Sequence, residues 1–167
     1  SISNDLCNHA QLLAKLRADT TSSALSKNLE IKLNIDQSCP KQITTDPKRL
    51  EQIVDKLDEN EIRLTPEGWV EIGVKLLADQ EPPLLAFSIK DTGIGINDKD
   101  KEHIFDAFKQ AEDSLTRNFG GAGLGLAISK DIAKILGGDV TVESSPGEGS
   151  TFTLTVNPGE MVKQDEQ

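Results

Sequence analysis

The chain has 167 residues, of which 36% are hydrophobic and only 4% aromatic, which is enough for one small domain with a mostly aliphatic core. Its formal net charge of −10 argues against nonspecific binding to nucleic acid or to an anionic membrane, because such contacts depend on cationic side chains. Cys7 and Cys39 lack metal-ligand spacing and form no disulfide framework, which predicts a reducing compartment. No apolar run has membrane-spanning length and no signal peptide opens the chain, so we predict a cytoplasmic protein.

The first part of the chain shows helical and strand patterns in turn. Apolar residues at helical spacing predict a first helix from Asn4 to about Leu25, and the alternation of Leu29 to Ile35 predicts a strand with one solvated face. Asp46 followed by Pro47 is typical of a helix N-cap and first turn. A second helix is predicted from the apolar residues that follow at helical spacing: Leu50, Ile53, Val54 and Leu57.

The remaining pattern is mostly that of strands separated by proline and glycine turns. The segment after Pro158 is charged, and we predict that it is disordered. We therefore assign residues 1–158 to one domain and residues 159–167 to a tail. The predicted strands lie near Val70 to Leu77, Leu84 to Lys90, Asp139 to Glu143 and Ser150 to Val156.

A first glycine cluster, Asp91-Thr-Gly-Ile-Gly-Ile96, directly follows an apolar strand, so Asp91 is expected at the strand end. There its carboxylate can accept a hydrogen bond from an exocyclic amine such as that of adenine. Gly93 and Gly95 permit positive φ and a close approach of the backbone to the ring. The cluster predicts an adenine site, although glycines can also simply mark turns.

A second cluster, Gly120-Gly-Ala-Gly-Leu-Gly-Leu-Ala127, opens an apolar periodic segment that predicts a helix ending at Gly137-Gly138. Glycines before a helix N-terminus expose backbone N–H groups, and the positive end of the helix dipole favours an anion. A P-loop motif is absent, and the cluster follows the polar segment Asp113 to Asn118 rather than a strand, which argues against a Rossmann turn. The two clusters together predict ATP binding.

These motifs, in this order, resemble the catalytic, ATP-binding domain of sensor histidine kinases, especially the hybrid kind. The similarity runs from about Leu29 to Val156. The matching segments are Asp46 to Ile53 for the lead-in to the N box, Asp91 to Ile96 for the first glycine box, Ile104 to Ala111 for the F box, Gly120 to Ile128 for the second glycine box and Gly137 to Phe152 for the closing strand pair.

The resemblance implies an α/β fold of the Bergerat type, a two-layer α/β sandwich in which a mixed sheet backs three helices and a mobile lid covers ATP. It implies a transferase, a protein histidine kinase that uses ATP and Mg²⁺ in a two-component phosphorelay. The implied partners are an upstream dimerisation domain that carries the acceptor histidine and a response regulator or receiver domain downstream. Nucleic acid and direct membrane contact are not expected, and the domain is cytoplasmic or the cytosolic part of a membrane-bound sensor.

The resemblance also implies roles for individual residues. Asn60 matches the magnesium-binding asparagine, and Arg63, three residues on and on the same helix face, takes the place of a phosphate-facing cation. Phe105 and Phe108 match the pair at the base of the lid, and plain core packing is their alternative role. The other implied nucleotide-binding residues are Lys56, Asp91, Gly93, Gly95, Ile96, Arg117, Gly121, Ala122, Gly123, Leu124, Gly125 and Leu126.

The N box departs from the family pattern at three positions. Lys56 stands in place of an asparagine and cannot ligate magnesium, because an ammonium group has only donors. Asp58 and Glu61 stand where relatives carry leucine and alanine. Burying a carboxylate without a partner costs roughly several kcal/mol, which is the effective desolvation penalty for one ion. Either the helix is rotated or shifted, or the pocket is altered.

His9 and His103 lack the context of a phosphoacceptor, so the acceptor histidine is expected outside this chain.

Three functions remain open from the sequence. The first hypothesis is an active histidine-kinase ATP-binding domain, and the alternative is a nucleotide-weak regulatory pseudokinase that acts by protein contact. The third is an ATP-hydrolysing relative of the gyrase or chaperone type, with Glu59 or Glu61 as the water-activating group.

Overall fold

The computed structural model describes residues 5–8, 11–15, 17, 29–65, 67–102, 104–105 and 126–162. Its main feature is a sheet of five strands in the order β2-β4-β5-β7-β6, in which β2 and β4 are parallel and the other neighbours antiparallel. The strands are β2 (Leu29–Ile35), β4 (Gly68–Leu77), β5 (Leu84–Asp91), β6 (Val140–Ser144) and β7 (Ser150–Val156). The predicted strands are therefore confirmed, with bounds that shift by at most two residues.

Helices cover one face of this sheet, as predicted for a two-layer α/β sandwich. The covering helices are α1 (Pro47–Leu64) and α3 (Ala127–Ile135), and a short helix, α2 (Asp98–Lys101), follows the end of β5. Helix α1 packs against β5 and α3, and α3 also contacts β6 and β7. The predicted N-cap is confirmed, because the Asp46 carboxylate accepts a hydrogen bond from the backbone N–H of Arg49 at 3.2 Å.

The core lies between the inner face of the sheet and α1 and α3. Residues alternate along the strands between buried and solvent-facing positions, as the period of a sheet with one covered face requires. Among the described residues, Phe87 and Phe152 are the aromatic members of the largest fully buried side chains, so this part of the core is mainly aliphatic as predicted. Its aliphatic members include Leu50, Ile53, Leu57, Val70, Ile72, Leu85, Ile89, Ala133 and Leu154.

The N-terminal prediction is wrong at its start. Residues Asp5–Cys7 form strand β1, which pairs antiparallel with β3 (Ile43–Thr45), and residues 11–15 and 17 are helical. Asn8 precedes these helical residues, and its side-chain oxygen accepts from the backbone N–H of Gln11 at 3.1 Å. Pairing with β3, a contact remote in sequence, overrides the local helical pattern of residues 5–7. Residues 18–25 of the predicted helix lie outside the described residues.

The chain after β7 runs along the second edge of β3. The backbone N–H of Thr44 donates to the Pro158 carbonyl at 2.8 Å, and Gln42 forms an antiparallel bridge with Val162. Residues 159–162, which the sequence assigns to the tail, are therefore hydrogen-bonded to the segment that leads into α1. The predicted disorder of residues 163–167 lies outside the described part of the chain.

Cys39 is a buried thiol between the sheet and the loop after β2. It is 2% exposed, and its sulfur donates to the Val74 carbonyl at 3.3 Å. Burial, with a smaller contribution from the negative charge of Asp36, raises the pKa of the Cys39 thiol from 9.0 to about 11. The folded protein therefore favours the neutral thiol.

We expect Cys39 to make folding stability fall at alkaline pH. Above pH 9 the unfolded chain loses this proton while the folded chain keeps it, so stability decreases between pH 9 and about 11. The expected loss is about 2 kcal/mol in the free energy of unfolding, which urea titrations at a series of pH values would measure. Cys39→Ala should show a shallower decrease over this range, and equal slopes in the two proteins would contradict the assignment.

Candidate functional site

Asp91 is the last residue of β5 and is 1% exposed, so the predicted placement at a strand end is confirmed. Its Oδ1 atom accepts from the backbone N–H of Gly93 at 2.6 Å and from that of Ser150 at 3.3 Å. Its Oδ2 atom accepts from the Ser150 hydroxyl at 2.6 Å. A carboxylate offers about four acceptor positions, so these donors orient Asp91 and, as far as the described residues go, leave one position for a further donor.

The first glycine cluster is built onto the turn between β6 and β7. Gly95 has φ of +75°, and a Cβ atom there would lie 2.0 Å from the Ser145 carbonyl oxygen. The backbone N–H of Gly147 donates to the Ile94 carbonyl at 2.7 Å. The sequence explained Gly95 by approach to a ligand, whereas the structure adds a reason inside the protein. A side chain at Gly95 would separate two backbone segments.

Ser144 connects the end of the same loop to this turn. Its hydroxyl accepts from the backbone N–H of Ile96 at 2.7 Å and donates to the Gly149 carbonyl at 2.8 Å. Lys101, at the end of α2, donates to the Ser144 carbonyl at 2.6 Å. Ile96 itself is 2% exposed, so its side chain belongs to the core.

Asn60 lies near the C-terminal end of α1 and is fully buried. Four residues earlier, on the same face of the helix, the half-buried Lys56 lines a cleft of about 410 Å³. The cleft lies between α1 and the first turn of α3, and its lining includes Glu59 and Ser129. Helix α1 thus carries the predicted metal ligand, Asn60, and one turn earlier Lys56, a lysine that can contact phosphate directly.

The altered N box does not interrupt or rotate the helix out of the core. Helix α1 is continuous from Pro47 to Leu64, and Asp58 is only 5% exposed. Of the two explanations for the unusual sequence, the structure therefore favours an altered environment over a rotated helix. Glu61 and Arg63 lie within α1, but their side chains are outside the described set.

Helix α3 begins where the second glycine cluster ends. Leu126 is its N-cap residue and is fully buried, so only its backbone can reach a ligand. The helix ends at Gly137-Gly138 as predicted, where the backbone N–H of Gly138 donates to the Ala133 carbonyl at 2.9 Å. Phe108, Arg117 and the residues Gly121, Ala122, Gly123, Leu124 and Gly125 lie outside the described residues, so their predicted roles stay predictions.

Lys130 of α3 connects the F box to the closing strand pair. Its ammonium group lies 4.6 Å from the centre of the Phe105 ring and donates to the Val140 carbonyl at 3.0 Å. It also pairs with the Asp139 carboxylate at 3.1 Å. Phe105 packs against the core and contributes a cation–π contact.

Sequence reasoning missed Ser144, Ser150, Lys101 and Lys130. Ser150 had a usable signal, since it follows the Pro146-Gly147 turn and opens a predicted strand next to a glycine. The other contacts depend on side chains and carbonyls that are remote in sequence. Within the described residues, no group of three or more His, Cys, Asp or Glu side chains could hold a metal ion by itself. Among these residues, too, no helix has the length and apolar character needed to cross a membrane.

Residues 45–160 match the family of histidine kinase-, DNA gyrase B- and HSP90-like ATPases. The sensor histidine kinase GacS of Pseudomonas protegens is 41% identical over 136 residues, and the signal transduction histidine-protein kinase BarA of Escherichia coli K12 is 40% identical over 136 residues. Each alignment covers 81% of this chain, which spans only 15% of the length of either relative.

The solved structure of full-length ShkA in complex with AMPPNP is similar with a TM-score of 0.82 and 27% identity. The similarity covers 98% of this chain and 33% of ShkA. The order of motifs and the mixed sheet agree with these matches. The chain therefore belongs to the histidine kinase-, DNA gyrase B- and HSP90-like ATPase family, as an ATPase domain of the sensor histidine kinase type.

Proposed function

We propose that this domain binds ATP with Mg²⁺ and donates the γ-phosphoryl group to a histidine on a dimerisation domain of the same protein. The observation that carries the proposal is the carboxylate of Asp91, which is buried at a strand end and oriented by Gly93 and Ser150. The ATPase family match and the nucleotide analogue bound to ShkA support the same ligand class.

Adenine fits the remaining acceptor position of Asp91. An exocyclic amine has a donor to offer, and the protein donors already present prevent the carboxylate from turning away. Because Asp91 is 1% exposed, a base that meets it is removed from water, which increases the cost of a mismatched group. Guanine would present a carbonyl oxygen at the corresponding place, so the site is expected to prefer adenine nucleotides.

Magnesium fits Asn60 by the chemistry of its side chain. Mg²⁺ prefers oxygen ligands and is often bound through one or two protein groups and the phosphates of a substrate. When bound, the ion would neutralise phosphate charge, while Lys56 on the preceding helical turn would supply a fixed cation beside it.

We propose that the phosphoryl acceptor and the downstream receiver are carried by domains other than this one. Ile128 and Ile135 lie seven residues apart on α3 and are 65% and 51% exposed. Two exposed isoleucines on one helix face suit contact with another domain, and we propose the dimerisation domain as their partner. A receiver domain is the proposed recipient of the phosphoryl group after the histidine.

Product analysis distinguishes this reaction from its alternatives. The domain joined to its dimerisation domain and supplied with ATP labelled at the γ-phosphate should yield phosphohistidine. Free phosphate without phosphohistidine would instead support an ATP-hydrolysing relative of the gyrase type. Nucleotide binding without either product would contradict the transfer reaction while leaving ATP binding intact.

Asn60→Ala is expected to remove the magnesium dependence of ATP binding. Calorimetric titration of the wild-type chain with a nonhydrolysable ATP analogue should show stronger binding with Mg²⁺ than without it. We expect the variant to lose at least about tenfold in affinity with Mg²⁺, because a metal ligand has been removed. Its affinity for AMP should stay unchanged, since AMP lacks the phosphates that share the ion.

Asn34→Ala is the matched control, because Asn34 lies exposed on β2 and on the open face of the sheet. It should bind the analogue as the wild type does, with and without Mg²⁺. Equal magnesium dependence in Asn60→Ala and the wild type would exclude Asn60 as the ligand. No binding by the wild type at millimolar nucleotide would count against ATP binding altogether.

A further inference from the structure

Two serines at the base of one hairpin contact the two ends of the first glycine cluster. Ser144 and Ser150 are partners in the register between β6 and β7. Ser150 donates its hydroxyl to Asp91 at the start of the cluster, and Ser144 accepts from the backbone N–H of Ile96 at its end. The distance between these anchor points is therefore set by a strand pair that lies outside the cluster.

The Ser144 hydroxyl acts both as an acceptor and as a donor. It accepts from the Ile96 N–H at 2.7 Å and donates its proton to the Gly149 carbonyl at 2.8 Å. Because the hydroxyl accepts one hydrogen bond and donates another, its rotation would break at least one of them. The bond from Lys101 to the Ser144 carbonyl, at 2.6 Å, adds an anchor from α2.

Backbone contacts make the loop sensitive to the position of this hairpin. A Cβ atom at Gly149 would lie 2.1 Å from the Asp91 carbonyl oxygen, and one at Gly95 would lie 2.0 Å from that of Ser145. Such close approach means that a small shift of the hairpin must move the loop with it. Hydrogen bonds at Ser144 and Ser150 then determine where the loop lies relative to the Asp91 carboxylate.

We propose that Ser144 is a positioning residue for nucleotide binding. It fixes the position of the end of the glycine loop relative to the Asp91 carboxylate, where the adenine base binds in the proposed function. The inference rests on the proposed function at Asp91. Ser144 exerts this effect through its hydrogen bonds with Ile96 and Gly149. Its effect should therefore fall on adenine recognition, while the magnesium side of the site at Asn60 stays unaffected.

The test compares Ser144→Ala with Ser144→Thr and Ser145→Ala. Threonine keeps the hydroxyl, and the neighbouring Ser145 is exposed, so its replacement makes the same chemical change without loss of the anchor. Calorimetry with ADP and with AMP should give dissociation constants about fivefold higher for Ser144→Ala, which corresponds to one lost hydrogen bond. Ser144→Thr and Ser145→Ala should bind both nucleotides as the wild type does.

A merely structural role would lower the melting temperature of Ser144→Ala and leave the dissociation constants unchanged, and that result would overturn the proposal. So would an equal loss of affinity in Ser145→Ala. The gain in affinity for ADP on adding Mg²⁺ should be the same in Ser144→Ala and the wild type.

Amide hydrogen exchange separates this inference from the proposed function. If the wild type bound neither nucleotide, ATP binding would fail, and exchange at the Ile96 amide would still decide the positioning role. That amide should exchange at least about tenfold faster in Ser144→Ala than in Ser145→Ala, because its acceptor is gone. Equal exchange rates in the two variants would show that Ser144 does not hold the loop.

Discussion

Asp91→Asn is expected to weaken the binding of ATP analogues by about 100-fold or more while the domain remains folded. Asparagine keeps one acceptor oxygen, which must face the N–H groups of Gly93 and Ser150. Its amide nitrogen then takes the place of Oδ2 and presents hydrogens toward the base. An adenine amine would meet a donor in a buried site, where neither group can turn to water.

The fold should tolerate this change because Ser150 can adapt. Its hydroxyl donates to Oδ2 of Asp91, but a hydroxyl can rotate and accept from an amide nitrogen instead. We therefore expect a change in melting temperature much smaller than the change in affinity. The two effects separate recognition from stability.

Calorimetry with a nonhydrolysable ATP analogue would measure the loss, with Asp36→Asn as a matched control. Asp36 is an exposed carboxylate after β2, where it accepts from the backbone N–H of Ser38 at 2.8 Å. Asp36→Asn should bind nucleotide as the wild type does. If Asp91→Asn also bound with wild-type affinity, adenine recognition would have to reside elsewhere in the domain.

Gly95→Ala is expected to destabilise the domain by about 3 kcal/mol and to impair nucleotide binding at the same time. Alanine at φ of +75° carries a backbone penalty of about 1–2 kcal/mol. In addition, its Cβ atom would lie 2.0 Å from the Ser145 carbonyl oxygen, which forces the loop and the hairpin apart. That separation would break the bond between Gly147 and Ile94 and displace the loop that follows Asp91.

Gly147→Ala isolates the steric part of this effect. Gly147 has φ of +79°, but a Cβ atom there would meet nothing within 4 Å. Its replacement should therefore cost only the backbone penalty, and nucleotide affinity should be kept. Urea unfolding of both variants would give the difference, and equal free energies of unfolding would show that the close approach to Ser145 carries no cost.

Much of the fold was predictable because it depends on local patterns. Strict alternation identified the strand from Leu29 to Ile35, and apolar character with bounding turns identified the other four strands of the main sheet. Asp46 with Pro47 identified the start of α1. The error at residues 5–7 has a physical cause. A strand of three residues has no periodicity of its own to recognise, and its pairing with β3 is a contact between distant segments.

The candidate site likewise contains some residues that the sequence predicted and others that it did not. Asp91 and the glycine clusters were identified because their chemistry is visible in the order of residues along the chain. The anchors at Ser144 and Ser150 were not, because their meaning depends on a hairpin that returns to the loop from more than 40 residues away. The burial of Asp58 in a continuous helix was likewise undecided, since the sequence allowed the helix to rotate.

By itself, then, the sequence determined the strand end that carries Asp91 and the order of the motifs, since these depend on residue types at local spacing. The resemblance carried by those motifs implied the fold class and the ATPase family. The tertiary structure alone decided that Gly95 and Gly149 are required by neighbouring carbonyl groups and that Ser150 orients Asp91. It also decided that Ser144 anchors Ile96. Those features arise where backbone segments that are remote in sequence come into contact. Their hydrogen-bond geometry depends on atomic positions that only the folded chain defines.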